Sequence, residues 1–339
     1  MSFFGLDIGT SSFKLVQVLR TGNTFTVEGV GAVANPIGSI DFTDVVQKQR
    51  ASDALKKMIS DMGLKERRVV VGISESKVYS RVVSMPVMSD AELSSAISWE
   101  AEQFVPVPIA EIEMDYSVVR RPQAGSTNNE MMVYLLASPK IYLSQIVDFV
   151  TSVGLEPIAI ESEIVAVIRS LTLGGLVGTN LLVNIGASAT IIAIADGDAL
   201  LFSYVVPVGG IALTRALSQS LNFPVAQAEE YKRTYGLDGR QFEGKVKASL
   251  LTVLASLVNE LRKAIEYHAV QYKTTVSRML LSGGGAYLPE FATHLSGEFP
   301  GVEVIVADPF AKGRVVKDMK LPADKAGYSV AVGLALREF

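Results

Sequence analysis

Apolar and polar positions divide this chain into short β-branched runs and longer stretches of helical spacing. The run 68–73 (Arg-Val-Val-Val-Gly-Ile) is too short for an ordinary helix and predicts a buried strand. Residues 42–62 predict a helix with Val45, Val46, Leu55, Met58 and Ile59 as apolar positions and Gly63 as C-cap. Ser89-Asp90-Ala91-Glu92 reads as a capping box opening a helix through Gln103, with Leu93, Ile97, Glu100-Ala101 and Phe104 on one stripe and Trp99 and Glu102 off it. Strands over 114–119 and 131–137 flank a polar loop at 120–129, and a helix over 141–153 ends at Gly154. The second half predicts a strand pair over 180–194, a turn at Asp196-Gly197-Asp198 and a helix through Leu221. A long helix follows over 246–272, apolar at Leu250, Val253, Leu254, Leu257, Leu261 and Ile265, with Glu260, Arg262, Lys263 and Glu266 facing out.

Three turns carry the candidate chemistry. Residues 4–18 form a hairpin pattern whose tip suits phosphate: Gly9 admits close backbone approach, and Thr10, Ser11 and Ser12 offer amides and hydroxyls. Asp7 stands where it could hold hydrated Mg²⁺, and Lys14 where it could reach a phosphate oxygen. An ordinary N-terminal hairpin explains these residues as well, but the pattern recurs over 180–194, with Gly186, Ala187, Ser188 and Thr190 around the second tip. Two such hairpins about half a chain apart imply two similar domains facing across a nucleotide cleft. A buried strand then feeds Gly283-Gly284-Gly285, a turn that lets a flat nucleoside lie on bare backbone, before a helix start at Pro289-Glu290.

Composition narrows the class. At 339 residues, 49% of them hydrophobic, the chain is long for one core, and two domains are the expectation. No cysteine is present, which removes disulfides, thiol nucleophiles and Cys-zinc sites. A net charge of −4 without strong blocks gives no electrostatic case for nucleic acid. No apolar run reaches the roughly 18 residues of a membrane span, and the N-terminus lacks the basic region of a signal peptide.

The trio of turns, in this order, resembles the actin-like ATPase superfamily, which includes actin, the heat-shock chaperone ATPase, sugar kinases and FtsA. Three further stretches narrow this: Trp99-Glu100-Ala101-Glu102-Gln103-Phe104-Val105-Pro106-Val107-Pro108, Val306-Ala307-Asp308-Pro309-Phe310 and the final Tyr328 to Glu338. By them the chain resembles, within the superfamily, the PilM family of type IV pilus assembly. The resemblance implies an α/β fold of two RNase H-like domains around a nucleotide cleft, with an inserted small α+β subdomain of the 1C kind. The expected limits are 1–76 for the first domain, 77–157 for the insert, 158–327 for the second domain and 328–339 for a helix returning to the first. Hinges are implied near 160–167 and 328–335, where Ser329, Ala331, Gly333 and Ala335 are small enough for close helix packing. The last predicted helix has no FtsA-like amphipathic anchor after it, an expectation that favours PilM over FtsA.

By the same resemblance ATP and Mg²⁺ are the expected ligands. Gly209 and Gly210 join the phosphate turns, and Glu229 and Lys232, matching an Ala-Glu-x-x-Lys pattern, meet the ribose and adenine; an i,i+3 ion pair on a solvated helix face accounts for them equally. Much of the superfamily opens its second hairpin with Asp where this chain has Asn184, and actin has Asp where this chain has Ala187. Asn184 keeps a carbonyl ligand without the charge, leaving Asp7 as the chief metal holder. Glu161 or Glu163 occupies the water-orienting position, although either could form an ion pair instead. His268 and His294 read as satisfied structural residues. The expectation is therefore ATP binding with slow hydrolysis or none.

The implied partner is the N-terminal tail of a PilN-like single-pass membrane protein, taken into a groove between the first domain and the insert. Tyr79, Arg81, Phe104, Val105 and Pro106 are the candidate rim residues, with core packing as the alternative for the apolar ones. That partner would hold a cytoplasmic protein at the inner membrane. An FtsA-like filament former and a sugar-kinase-like phosphotransferase are the competing readings.

Overall fold

The computed structural model describes residues 2–39, 41–122, 129–173, 175–317 and 319–339. The chain begins as an antiparallel meander of β1 (Phe4–Ile8), β2 (Ser12–Thr21) and β3 (Thr24–Ala34). Helix α1 (Val45–Asp61) crosses to β4 (Arg68–Ile73), which pairs parallel with β1. The helix starts at Val45 because the Asp44 side chain accepts from the Gln47 amide, a standard N-cap. Phe42 stays outside it, stacked 4.0 Å from Phe149. Val45 and Val46, expected on the apolar face, are exposed; Ala51, Ser52, Leu55, Met58 and Ile59 are the buried positions.

The insert contains β5 (Tyr79–Pro86), α2 (Asp90–Glu102), β6 (Ile112–Arg120) and β7 (Glu130–Pro139). Its strands form an antiparallel sheet in the order β5-β7-β6. The capping box at Ser89 and Glu92 forms, and Leu93 and Ile97 pack on Met85, Met131, Val133 and Leu135. Of the polar loop expected at 120–129, residues 123–128 lie outside the described residues.

Helix α3 (Lys140–Ser152) and the first two residues of β8 (Glu156–Ser162) fall within the range read as the insert, yet both elements build on the first sheet. Tyr142, Ile146, Phe149 and Val150 of α3 join the core of Phe4, Leu6, Phe13 and Leu55. The next helix is α4 (Glu163–Thr172).

The second sheet has the order β11-β10-β9-β12-β13. Its elements are β9 (Thr179–Ile185), β10 (Thr190–Asp196), β11 (Ala199–Val206), α5 (Gly210–Leu221), α6 (Val225–Tyr235), α7 (Lys245–Tyr272), β12 (Arg278–Ser282), α8 (Phe291–Glu298) and β13 (Glu303–Val306). Leu250, Leu254, Leu257 and Leu261 of α7 are buried against it, as their spacing predicts, whereas Val253 and Ile265 are only partly buried. The chain then returns to the first domain. Strand β14 (Gly313–Val315) pairs with β3, completing a sheet ordered β14-β3-β2-β1-β4-β8, although 313–315 falls within the range expected for the second domain.

Helix α9 (Ser329–Ala335) is buried along its whole length. It packs with α4 between the sheets, where Val70, Ile164, Val167, Leu182, Ala193, Leu280, Val330 and Leu334 share one core. Gly333 makes this crossing possible: a Cβ there would stand 1.8 Å from the Ala166 carbonyl oxygen. The two chain crossings between the domains therefore touch each other. Among the described residues, no helix is long and apolar enough to cross a membrane.

Candidate functional site

The two sequence hairpins are one structural device used twice. At the first tip the Gly9 amide donates to the Ser12 carbonyl at 3.1 Å; at the second the Gly186 amide donates to the Ala189 carbonyl at 2.9 Å. The tips face each other, with Thr10 Oγ1 and Ser188 Oγ 3.3 Å apart. Between them and the glycine turn lies a cavity of about 650 Å³. Asp7, Gly9, Thr10, Ser11, Ser12 and Lys14 line it from β1 and β2; Asn184, Gly186, Ala187 and Ser188 line it from the second hairpin. Gly210, Glu229 and Lys232 close one side, and Gly283, Gly284 and Gly285 another.

The three consecutive glycines have different reasons. Gly283 has φ +77°, and a Cβ on it would lie 2.4 Å from the Ile185 carbonyl oxygen; one on Gly285 would overlap the Ile185 side chain. Gly284 meets nothing within 4 Å, so the turn presents bare backbone beside open space. This is a cradle that side chains would fill.

Two residues expected in the site do not line the cavity. The Thr190 hydroxyl donates to the Val208 carbonyl at 2.6 Å and is fully buried. Gly209 sits behind the second tip, where a Cβ would stand 2.7 Å from the Ala187 carbonyl oxygen. The start of α5 is docked on that tip through Gly210 N–H to the Gly186 carbonyl and Ile211 N–H to the Ala187 carbonyl.

Glu229 and Lys232 unite both readings of their motif. They form a 2.6 Å ion pair and also line the cavity. Lys232 Nζ donates further to the Thr214 hydroxyl at 2.8 Å and the Gly210 carbonyl at 3.0 Å, so it struts α6 against the start of α5. Burial alone raises the Glu229 carboxyl, but hydrogen bonds from Lys232, Thr214 and Arg233 outweigh it and bring the group to about 2.

Asn184 lines the cavity, and its carbonyl oxygen accepts from the Ser282 hydroxyl at 3.2 Å while keeping a second lone pair. Asp7 is buried opposite Lys14 in the hairpin register, with Lys14 Nζ 3.8 Å from its carboxylate. Burial raises the Asp7 carboxyl, opposed by the Lys14 charge.

The two glutamates at the first domain crossing separate cleanly. Glu161 is salt-bridged to Arg169 at 2.5 Å and Arg337 at 3.1 Å, outside the cavity. Glu163 lines the cavity. Burial first, then the charges of Asp7 and Glu75, hold its carboxyl well above the ordinary value, against Lys14. The unfolded chain releases that proton near 4.5 while the folded chain keeps it, so stability falls as pH rises through this window. Glu163→Gln removes the penalty. Its stability gain over wild type should be absent below about pH 4 and grow by about 1.4 kcal/mol per pH unit through the window. Urea unfolding at several pH values measures it.

Sequence reasoning missed Ser74, Glu75, Ser76 and Asp324. Ser74, Ser76 and Asp324 line the cavity; Glu75 is buried just behind it. Only topology could have pointed to the serines. Strand β4 runs parallel to β1, so the loop after it must reach the same rim.

A second cavity of about 760 Å³ opens beside the first, where Gly38, Ser39 and the 74–78 turn of the first domain, the insert, both hairpin tips and β11 meet. Tyr79 and Phe104 line it together with Ser80, Ser203, Tyr204 and Pro207. Arg81 and Pro106 are exposed but outside its lining, whereas Val105 is buried with Ala101, Ile112 and Ala137 and is core rather than rim. Neither His268, bonded through Nε2 to the Thr274 hydroxyl at 2.9 Å, nor His294 lines either cavity.

Comparison with known proteins agrees with this geometry. The chain is similar to a solved structure described as a PilM-PilN type IV pilus biogenesis complex: 26% identity, 99% of this chain and 98% of that one covered, TM-score 0.85. It is similar in fold to the ethanolamine utilization protein EutJ from Carboxydothermus hydrogenoformans (18% identity, 99% and 89% covered, TM-score 0.58). It is also similar in fold to MreB 5 of Spiroplasma citri bound to AMPPNP (12% identity, 98% and 94% covered, TM-score 0.55). The fold is that of the actin-like ATPases, two RNase H-like domains around a cleft with a small α+β insert. The family model for type IV pilus assembly protein PilM matches residues 5–339, and the chain belongs to that family.

Proposed function

We propose that this chain is a nucleotide-dependent adaptor of the type IV pilus assembly platform. Mg-ATP occupies the cleft between the hairpin tips, and the neighbouring cavity takes the extended N-terminal tail of a PilN-like membrane protein. That tail holds a cytoplasmic protein at the inner membrane. The observation that carries the reading is the pair of adjoining cavities, one ringed by phosphate-type turns and the other running from those tips along the first domain and the insert. The similar structure described as a PilM-PilN complex supports the partner, and the similar fold bound to AMPPNP supports the nucleotide.

The cleft fits such a ligand through its glycine cradle and through two acid–lysine pairs on its lining, Asp7 with Lys14 and Glu229 with Lys232. Among the described residues no cluster of three acid, histidine or cysteine side chains could hold a metal ion alone. Mg²⁺ would therefore rest on Asp7, through water, and on the phosphates it accompanies. Burial and the charges of Asp7 and Glu75 disfavour a charged Glu163, so the cleft is better built to hold ATP than to activate water. Nucleotide then acts as a structural or switching ligand that favours the closed form.

Calorimetric titration with synthetic N-terminal tails of PilN-like proteins tests the reading. Saturable binding to one tail, weakened at least about 30-fold by Phe104→Ala, is the expected result. A thermal midpoint near wild type shows that the loss is not unfolding. No binding by the wild-type chain to any tail would overturn the adaptor reading.

A further inference from the structure

The two cavities share a wall. Ser74 and Ser76 line both of them, as do Thr10, Ser188, Ala189 and Ile191 at the hairpin tips, and Glu75, Lys77, Tyr79 and Ser80 continue the wall along the second. This segment leaves β4 at the rim beside Asp7, makes the single turn Glu75–Lys77 and becomes β5 of the insert. One short piece of chain therefore touches both the nucleotide site and the proposed tail site.

A buried carboxylate holds that wall in place. Glu75 is 5% exposed and accepts from the Ser80 hydroxyl of β5 at 3.0 Å, from the Ser162 hydroxyl and from the Ile164 amide at 3.4 Å. Ser162 precedes α4 in the N-cap position but makes no cap bond to its own helix. Glu75, far upstream, supplies the acceptor that the first turn of α4 needs. Ser162 also receives the Tyr134 hydroxyl of β7 at 3.1 Å. Between Ser162 and Ile164 stands Glu163, whose side chain lines the nucleotide cleft. The rim turn, the insert sheet and the start of α4 thus meet on one carboxylate. Moving any of them alone would leave a buried donor or acceptor unpaired, so they move together.

We propose that Glu75 is a positioning residue that couples the cleft to the tail groove. Nucleotide fixes the Ser74–Ser76 rim and the start of α4, and through Glu75 this orders the Tyr79–Ser80 side of the groove. A bound tail does the reverse. The coupling is positive, because the second ligand meets a wall the first has already ordered. It rests on the reading of the second cavity as the tail site.

The test is the affinity of the full chain for a non-hydrolysable Mg-ATP analogue, measured with and without saturating tail peptide, and the reciprocal titration. Wild type is expected to gain at least about fivefold in each direction, by the same factor, as linkage requires. Glu75→Gln keeps the shape of the side chain but exchanges an acceptor for a donor, and Ser162→Ala, at a residue that lines neither cavity, cuts the hydroxyl bond that ties Glu75 to the start of α4. In Ser162→Ala each ligand alone should bind within about twofold of wild type, and in both variants the coupling factor falls toward one. A merely structural role would weaken both bindings and leave the factor unchanged. Coupling that persists in both variants, or wild-type binding of both ligands without coupling, overturns this inference alone. Failure of the wild-type chain to bind any tail overturns the adaptor reading, and the inference with it.

Discussion

Asp7→Asn is expected to weaken Mg-ATP binding by about 10–100-fold, the usual effect of losing a group that orients a metal's surroundings, without lowering the stability of the ligand-free protein. The two halves of this result have one cause. Asp7 lies on a strand buried at every position and is opposed by a single lysine at 3.8 Å, longer than a hydrogen bond. Burial disfavours its charged form, so the folded protein holds that carboxylate at a cost. Asparagine has nearly the same shape and no charge, so the ligand-free fold loses nothing and gains above the unfolded carboxyl value of 3.8. The nucleotide complex loses the acid that Mg²⁺ would neutralise. Fluorescent ATP-analogue titrations in Mg²⁺ and in chelator measure the first half, and thermal unfolding the second. In chelator the variant should bind as well as wild type, because no ion remains to mediate attraction between Asp7 and phosphate. An equal loss in chelator would show that Asp7 acts on something other than the metal.

Gly333→Ala should cost about 3 kcal/mol or more, at the upper end of overpacking effects. The added methyl would stand 1.8 Å from the carbonyl oxygen of Ala166 and 2.4 Å from its carbonyl carbon. Both atoms belong to α4 backbone, so no side-chain rotation relieves the clash. The helices must separate, and the Arg169 guanidinium, which donates to the Gly333 carbonyl at 2.7 Å and to Glu161, would lose its geometry. Since α4 and α9 are the elements through which the chain passes between domains, the expected outcome is a large drop in unfolding midpoint together with weaker nucleotide binding. Gly297→Ala in α8, where nothing lies within 4 Å of the new methyl, serves as the near-neutral control.

The phosphate hairpins were legible because a glycine tip between two β-branched runs leaves few other folds, and the observed register sets Asp7 opposite Lys14. The capping box at Ser89 and the buried stripe of α7 were legible for the same reason: both are local patterns. What escaped was decided by contacts distant in sequence. Helix α3 reads like part of the insert, and only the stack of Phe149 on Phe42 and its contact with Phe13 assign it to the first sheet. Glu161 and Glu163 look interchangeable, but the chain passes from strand to helix between them, sending one to Arg169 and the other into the cleft. Asn184 could be recognised as an uncharged ligand, yet its partner Ser282 lies on another strand. Glu75 was the least legible, since Ser-Glu-Ser-Lys has the composition of a solvated turn and nothing local reveals a buried carboxylate.

The central claim, that a peptide groove adjoins the nucleotide cleft along the Ser74–Ser80 wall, is tested most directly by amide hydrogen exchange of the full chain with and without saturating tail peptide. The account predicts slowed exchange over 74–82 and 101–107, with the second half of α7 unchanged. Tail binding that slows exchange elsewhere and leaves both segments as they were would contradict it.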